Sequence, residues 1–277
     1  MSVERRVVGM FDSGIGGLTV LKATMARLPE ESFIYFGDTA RLPYGTKSRE
    51  TVTRFAEEIV AFLERKKLKL LVVACNTVSA YSLERIRQIA TVPVVGVIEP
   101  GARAAVRTTR NRRVGVIGTR ATIQSGAYLE SIRSFDPDVR VFSKACPLFV
   151  PLVEEGWLND EVTYRIAERY LESLLSCGID TLILGCTHYP LIKGVISEVV
   201  GKNVTLIDSA EETSKIVENI LREQGILSKS LMGARCEIYV SDFHLGLRLH
   251  IERFLGFEIP RIKVVNSEFE EVEVAGS

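Results

Sequence analysis

The chain has 277 residues, with 35 lysines and arginines balanced by 35 aspartates and glutamates. It is 46% hydrophobic and 25% charged, which describes a globular protein with a sizeable core in one large domain or two ordinary ones. The balanced charge provides no net field to draw the chain toward phosphate backbones or acidic lipid, so neither nucleic acid nor membrane is an expected partner.

The start, MSVERRVVGMFDSG, holds too short an apolar run for a signal peptide, and no span reaches bilayer length, so the expected location is cytoplasmic. From there, Val- and Ile-rich runs alternate with segments of helical period, the pattern of a parallel sheet covered by helices. RVVGMF (6–11) reads as a strand, 18–28 as a helix, SFIYFGD (32–38) as a strand and 48–67 as an amphipathic helix capped by Ser48. KLLVVAC (69–75) is the third strand, followed by a helix over 82–90 and a strand over 92–98.

Glu99-Pro100-Gly101 is expected to break the pattern, after which the cycle restarts. A strand at 112–118, a helix at 121–134, a strand at 138–144, a helix at 159–176 and the strand segment TLILGCTHYP (181–190) follow. VTLIDS (204–209), a helix over 210–225, and late strands at 236–242 and 261–265 complete the chain, with EFEEVEVAGS (268–277) expected to fray.

Two internal alignments point to a repeat. Placing Cys75 on Cys186, a shift of 186 − 75 = 111, lays LLVVACNT over LILGCT with one residue of slack. Placing Gly9 on Gly115 lays VGMFDS over VGVIGT and Ser13 on Thr119. Chance matching of Val-rich strands remains an alternative. The favoured reading is two similar α/β halves, each ending one strand in a hydroxyl turn and another in cysteine.

Ligands of open α/β sheets bind beyond the carboxyl ends of the strands, where free backbone N–H groups suit a carboxylate or phosphate. Asp12, Ser13, Asp38, Cys75, Asn76, Thr77, Thr119, Cys186, Thr187 and His188 all fall at such ends. The glycines of DSGIGG (12–17) do not fit a dinucleotide site, because the spacing puts Thr19 where glycine is required, and no phosphate-binding P-loop is present. Five cysteines at 75, 146, 177, 186 and 236 have neither paired nor zinc-ligand spacing and read as free thiols.

Strand-end cysteines are commonly inert core, which is the reading for Cys146, Cys177 and Cys236. At Cys75 and Cys186 the polar residues that follow are costly to bury without partners, and a helix N-terminus favours a thiolate, so packing and catalysis both stay open. Two thiols facing one cleft can act as an acid–base pair that removes a proton from one face of a carbon and returns one to the other.

GMFDSGIGGLTV (9–20), YFGDTARLPYGTKS (35–48), VVACNTVSA (72–80) and LILGCTHYPLI (182–192) resemble the segments of bacterial glutamate racemases, within the cofactor-independent aspartate/glutamate racemase family. The resemblance spans nearly the whole chain. It implies two pseudosymmetric three-layer α/β domains with mostly parallel sheets, 1–98 plus 208–277 and 99–207, clasping glutamate in the cleft between them and closing around it. It implies Cys75 and Cys186 as the two catalytic bases, with Asp12 and His188 as helpers.

Ser13, Tyr44, Gly45, Asn76, Thr77, Thr119, Thr122 and Thr187 would bind substrate alongside those four, and Asp38 and Glu154 would be auxiliary acids. Their plainer readings stay open: Asp38 as a turn cap, Glu154 as a helix-end charge, Tyr44-Gly45 as a Pro-started turn and His188 as a strand-end hydrogen bonder. The resemblance further implies no cofactor or metal, a homodimer, and supply of D-glutamate for peptidoglycan and cell shape. Only eight residues precede Gly9, which argues against the activation by a cell-wall precursor that accompanies an N-terminal extension in some members. Aspartate racemase, a Cys186–His188 amide hydrolase and a non-catalytic anion-binding module are the competing functions.

Overall fold

The computed structural model describes residues 6–228, 234–259 and 262–273. The first five residues of the N-terminal segment, Arg261 of the last expected strand and the final four residues of the tail lie outside the described residues. The strands are β1 (Val7–Asp12), β2 (Phe33–Gly37), β3 (Leu68–Val73), β4 (Val94–Gly96), β5 (Arg113–Gly118), β6 (Arg140–Ala145), β7 (Thr181–Gly185), β8 (Thr205–Asp208), β9 (Cys236–Val240), β10 (Ile262–Val265) and β11 (Glu271–Val272).

They form two sheets, ordered β11-β10-β9-β2-β1-β3-β4 and β6-β5-β7-β8. Every pairing is parallel except β10 with β11. The order β2-β1-β3-β4 repeats as β6-β5-β7-β8, so the two α/β halves are pseudosymmetric. Gly9 and Gly115 occupy the two corresponding strands, β1 and β5, and Ser13 and Thr119 follow their ends. Cys75 and Cys186 follow the ends of β3 and β7.

Strand side chains alternate between two buried faces, as parallel strands covered on both sides require. Val8, Met10, Phe33, Tyr35, Leu70 and Val72 join one apolar cluster, while Phe11, Ile34, Phe36, Leu71 and Val73 join another. In the second sheet Ile117, Leu182 and Leu184 belong to the first of these clusters, and Val114, Val116 and Ile183 to a third. One apolar cluster is thus continuous across both halves.

The helices are α1 (Leu18–Arg27), α2 (Arg49–Glu64), α3 (Asn76–Ile89), α4 (Ile98–Thr108), α5 (Arg120–Gln124), α6 (Ala127–Phe135), α7 (Phe149–Glu154), α8 (Glu161–Ser176), α9 (Lys193–Val200), α10 (Ser209–Glu223) and α11 (Leu245–Leu255). Ser48 caps α2 as expected, accepting from the Thr51 N–H at 3.3 Å.

Four expectations are corrected. Glu99-Pro100-Gly101 lies in the first turn of α4 rather than breaking the pattern, because a proline there forfeits an N–H that has no helical acceptor. The helix expected from residue 82 starts at Asn76, directly after Cys75. The helix expected over 121–134 is split at Gly126, whose φ of 72° suits glycine. The tail does not fray throughout: β11 pairs with β10, and Phe269 stacks on Phe36 at 5.7 Å. The helices α7, α9 and α11 lie where no element was expected.

Candidate active site

The Cys75 wall is built from the ends of β1 and β3. A bond from the Ala74 N–H to the Phe11 carbonyl (2.9 Å) keeps the two strand ends in register, and Cys75 then serves as the N-cap residue of α3. Its sulfur lies 3.4 Å from Ser13 Oγ. Asp12 accepts the Gly14 N–H through Oδ2 (3.1 Å), whereas Oδ1 is buried without a hydrogen-bond partner. Burial, and then the Asp12 charge, push the Cys75 thiol well above its ordinary range, and hydrogen bonding from Ser13 offsets this only partly. Cys75 therefore keeps its proton at neutral pH.

The Cys186 wall follows β7. His188 Nδ1 lies 3.9 Å from Cys186 Sγ and His188 Nε2 lies 3.2 Å from Glu154 Oε1. Burial alone would lower the imidazole pKa, but the hydrogen bonds to Cys186 and Glu154 raise it overall to about 10. His188 is thus a cation at neutral pH and can store or return a proton at Cys186. Phe254 of α11 packs edge-on to the ring at 5.3 Å, and Arg253 donates to the Glu154 carbonyl at 3.1 Å.

The walls meet through loops of both halves. A Cβ on Gly16 would come within 2.5 Å of the His188 ring, so only glycine allows that approach. Thr19 Oγ1 donates to the Thr187 carbonyl at 2.9 Å, tying the start of α1 to the Cys186 loop. Thr77, Thr119 and Thr122 form a hydroxyl cluster with separations of 3.0, 3.0 and 3.4 Å. A Cβ on Gly45 would lie 3.1 Å from Thr119 Cβ. Asn76 accepts through Oδ1 from the Tyr128 hydroxyl (2.7 Å), and its buried Nδ2 has no hydrogen-bond partner.

The structure thus brings together Asp12, Ser13, Cys75, Asn76, Thr77, Gly45, Thr119 and Thr122, and separately Cys186, Thr187, His188 and Glu154, with Gly16 and Thr19 joining the sets. Asp38 is placed differently. It is fully buried, accepts from Arg41 Nε (2.7 Å) and Ser241 Oγ (2.7 Å), and receives the Tyr44 hydroxyl. Both its oxygens are engaged within loops of the first half, which fits the turn-holding reading and turns the Tyr44 hydroxyl toward Asp38.

Sequence reasoning passed over Gly16, Thr19 and Tyr128. The DSGIGG run carried a signal for Gly16; Tyr128 had none, because its partners lie 52 and 81 positions away. Among the described residues no group of three or more His, Cys, Asp or Glu side chains could hold a metal ion.

The two α/β halves are ordered alike, and each closes the corresponding strand with cysteine. The family description Asp/Glu/Hydantoin racemase matches residues 19–217. A glutamate racemase of Geobacter metallireducens is 54% identical over 96% of this chain and 98% of its own. The crystal structure of a Bacillus anthracis glutamate racemase superposes with a TM-score of 0.93 at 40% identity, covering 96% of this chain and all of that one. The glutamate racemase of Francisella tularensis, solved in complex with D-glutamate, gives 0.89 at 40% identity over 95% and 98% of the two chains. The chain belongs to the Asp/Glu/Hydantoin racemase family, on its glutamate racemase branch.

Proposed function

We propose that this protein interconverts L- and D-glutamate by proton transfer at Cα between two cysteines, without a cofactor. The observation that carries the reading is the pair Cys75 and Cys186 at equivalent strand ends, each beside its own proton-handling group, Asp12 with Ser13 or His188 with Glu154. One sulfur, as thiolate, takes the α-proton and becomes a thiol. The other thiol gives its proton to the opposite face of the carbanion and becomes the thiolate, so charge and protons balance over the turnover.

The charge released at Cα passes into the α-carboxylate. The Thr77, Thr119 and Thr122 hydroxyls and the unpartnered amide of Asn76 are suited to bind it more strongly as enolate character grows. In the resting protein Cys75 is the thiol ready to donate, while His188 manages the proton at Cys186. The substrate ammonium, arriving beside Asp12, would offset the carboxylate charge that holds the Cys75 proton in place.

Residues 1–98 with 208–277, and 99–207, are the two domains of this reading, with the substrate enclosed between them and the proteins associating as homodimers in the cytoplasm. D-glutamate would supply peptidoglycan synthesis. None of the helices among the described residues is long and apolar enough to cross a membrane. The test is incubation with L-glutamate in deuterium oxide without added cofactor. D-glutamate carrying deuterium at Cα is expected; release of ammonia or no exchange would overturn the assignment, and L-aspartate in parallel measures side-chain selectivity.

A further inference from the structure

Tyr128, on α6 of the second half, lies between the two cysteine-bearing segments. Its hydroxyl donates to Asn76 Oδ1 at 2.7 Å, on the residue directly after Cys75. Its ring borders Gly185, directly before Cys186, where a Cβ would fall 3.0 Å from Tyr128 Cε2. Ser209 Oγ stands 3.1 Å from the Tyr128 oxygen and 3.1 Å from the Leu184 carbonyl. Two hydroxyl protons serve these three contacts: Tyr128 gives its own to Asn76, and that of Ser209 is shared between Leu184 O and the Tyr128 oxygen.

Tyr128 is only 2% exposed, and burial holds its phenol well above the usual range, so it stays a donor. With its oxygen taking the Ser209 hydroxyl, the phenol directs its own proton to the oxygen of the Asn76 amide. The amide plane is thereby fixed with its NH₂ end free, and that nitrogen is buried without a hydrogen-bond partner. A buried NH₂ with no acceptor is costly unless a ligand supplies one.

We infer that Tyr128 is a positioning residue for racemisation: its hydroxyl locks the Asn76 amide so that the NH₂ faces the substrate carboxylate, and does so from the opposite half of the molecule. The inference rests on the reading of Asn76 as a substrate ligand. It also makes Asn76 competent only while the Gly185–Cys186 segment and the Cys75–Asn76 segment are held together, so binding and assembly of the two walls are linked through one phenol.

The test is a double-mutant cycle of Tyr128→Phe and Asn76→Ala, with kcat and KM measured from both enantiomers and melting followed by circular dichroism. Tyr128→Phe is expected to raise KM roughly five- to tenfold in both directions, the scale of one lost hydrogen bond, with a smaller change in kcat. In the Asn76→Ala background it should add nothing. Ser209→Ala, which leaves the phenol and ring in place, should give a smaller shift of the same kind and keeps the question answerable if Tyr128→Phe folds poorly.

Wild-type kinetics for Tyr128→Phe alongside a defective Asn76→Ala would overturn the role of Tyr128 while leaving Asn76 as a ligand. Fully multiplicative effects would also overturn it, as a purely structural tyrosine would behave that way. Wild-type kinetics for Asn76→Ala would remove both readings.

Discussion

Gly16 and His188, on opposite halves of the molecule, approach so closely that a single added methyl group would come within 2.5 Å of the imidazole. Gly16→Ala must therefore push the Cys186 loop away or tilt the ring off its line between Cys186 and Glu154. Displacements near 1 Å at a reacting group cost about 100-fold in rate. The expected outcome is a kcat lower by about that factor, with a fold still cooperative by thermal melting; an unchanged kcat would show that the ring does not need this geometry.

Glu154→Gln removes the carboxylate that helps raise the His188 pKa to about 10. The folded pKa lies above the ordinary 6.5, so this interaction's stability is fully present below about pH 6.5 and is lost as pH rises through about 10. The stability gap between the wild type and Glu154→Gln should accordingly narrow from pH 7 to pH 10 in denaturant titrations. The alkaline limb of the activity profile should move to lower pH in the variant. A gap constant across that range would contradict the charged pair.

Asp12 is the main charge holding the Cys75 proton, after burial itself. Asp12→Asn should lower the pH at which the Cys75 thiolate forms. Iodoacetamide labelling of Cys75 against pH, read by mass spectrometry in a Cys186→Ala background, measures this directly. Racemisation should nonetheless fall, because the variant also loses the carboxylate proposed to meet the substrate ammonium. A midpoint that rises instead would assign Asp12 the opposite role.

At the opposite end of β3 from Cys75, Lys69 and Glu31 form an ion pair at 2.5 Å with side chains 1% and 2% exposed, and Lys69 Nζ also donates to the Ile226 carbonyl at 2.8 Å. Lys69→Met leaves the Glu31 carboxylate buried without its cation, a change that costs about 3–5 kcal/mol. Lys69→Met with Glu31→Leu should recover much of that loss in urea denaturation. No recovery would mean that the bonds to the Ile226 carbonyl and from the Ser228 N–H carry the stability.

The parallel sheets and their repeat were legible because strand alternation and the motifs around Cys75 and Cys186 are written in consecutive residues. Loops at strand ends keep neighbours in sequence close in space, so Asp12 with Ser13 and Cys186 with His188 could be paired on sight. Glu154 could not be: its imidazole partner lies 34 positions away, and by its own residues it was an ordinary helix-end charge. Tyr128 was hidden for the same reason. At Pro100 a local rule pointed the wrong way, because a proline stops a helix in its interior but opens one in its first turn. The start of α3 was placed late because Asn76, Thr77 and Ser79 are weak helix formers, held helical here by burial against the sheet.

The halves repeat in topology but not in chemistry: an aspartate and a serine attend one cysteine, an imidazole and a glutamate the other. Mirror-image amino acids have identical free energies in water, so a two-base enzyme with unlike walls still faces an equilibrium constant of one. Its unlike helpers can make kcat from one enantiomer exceed kcat from the other only if KM moves by the same factor. The asymmetry between Asp12 and His188 is therefore free to decide which enantiomer is held more tightly, and powerless to decide which one accumulates.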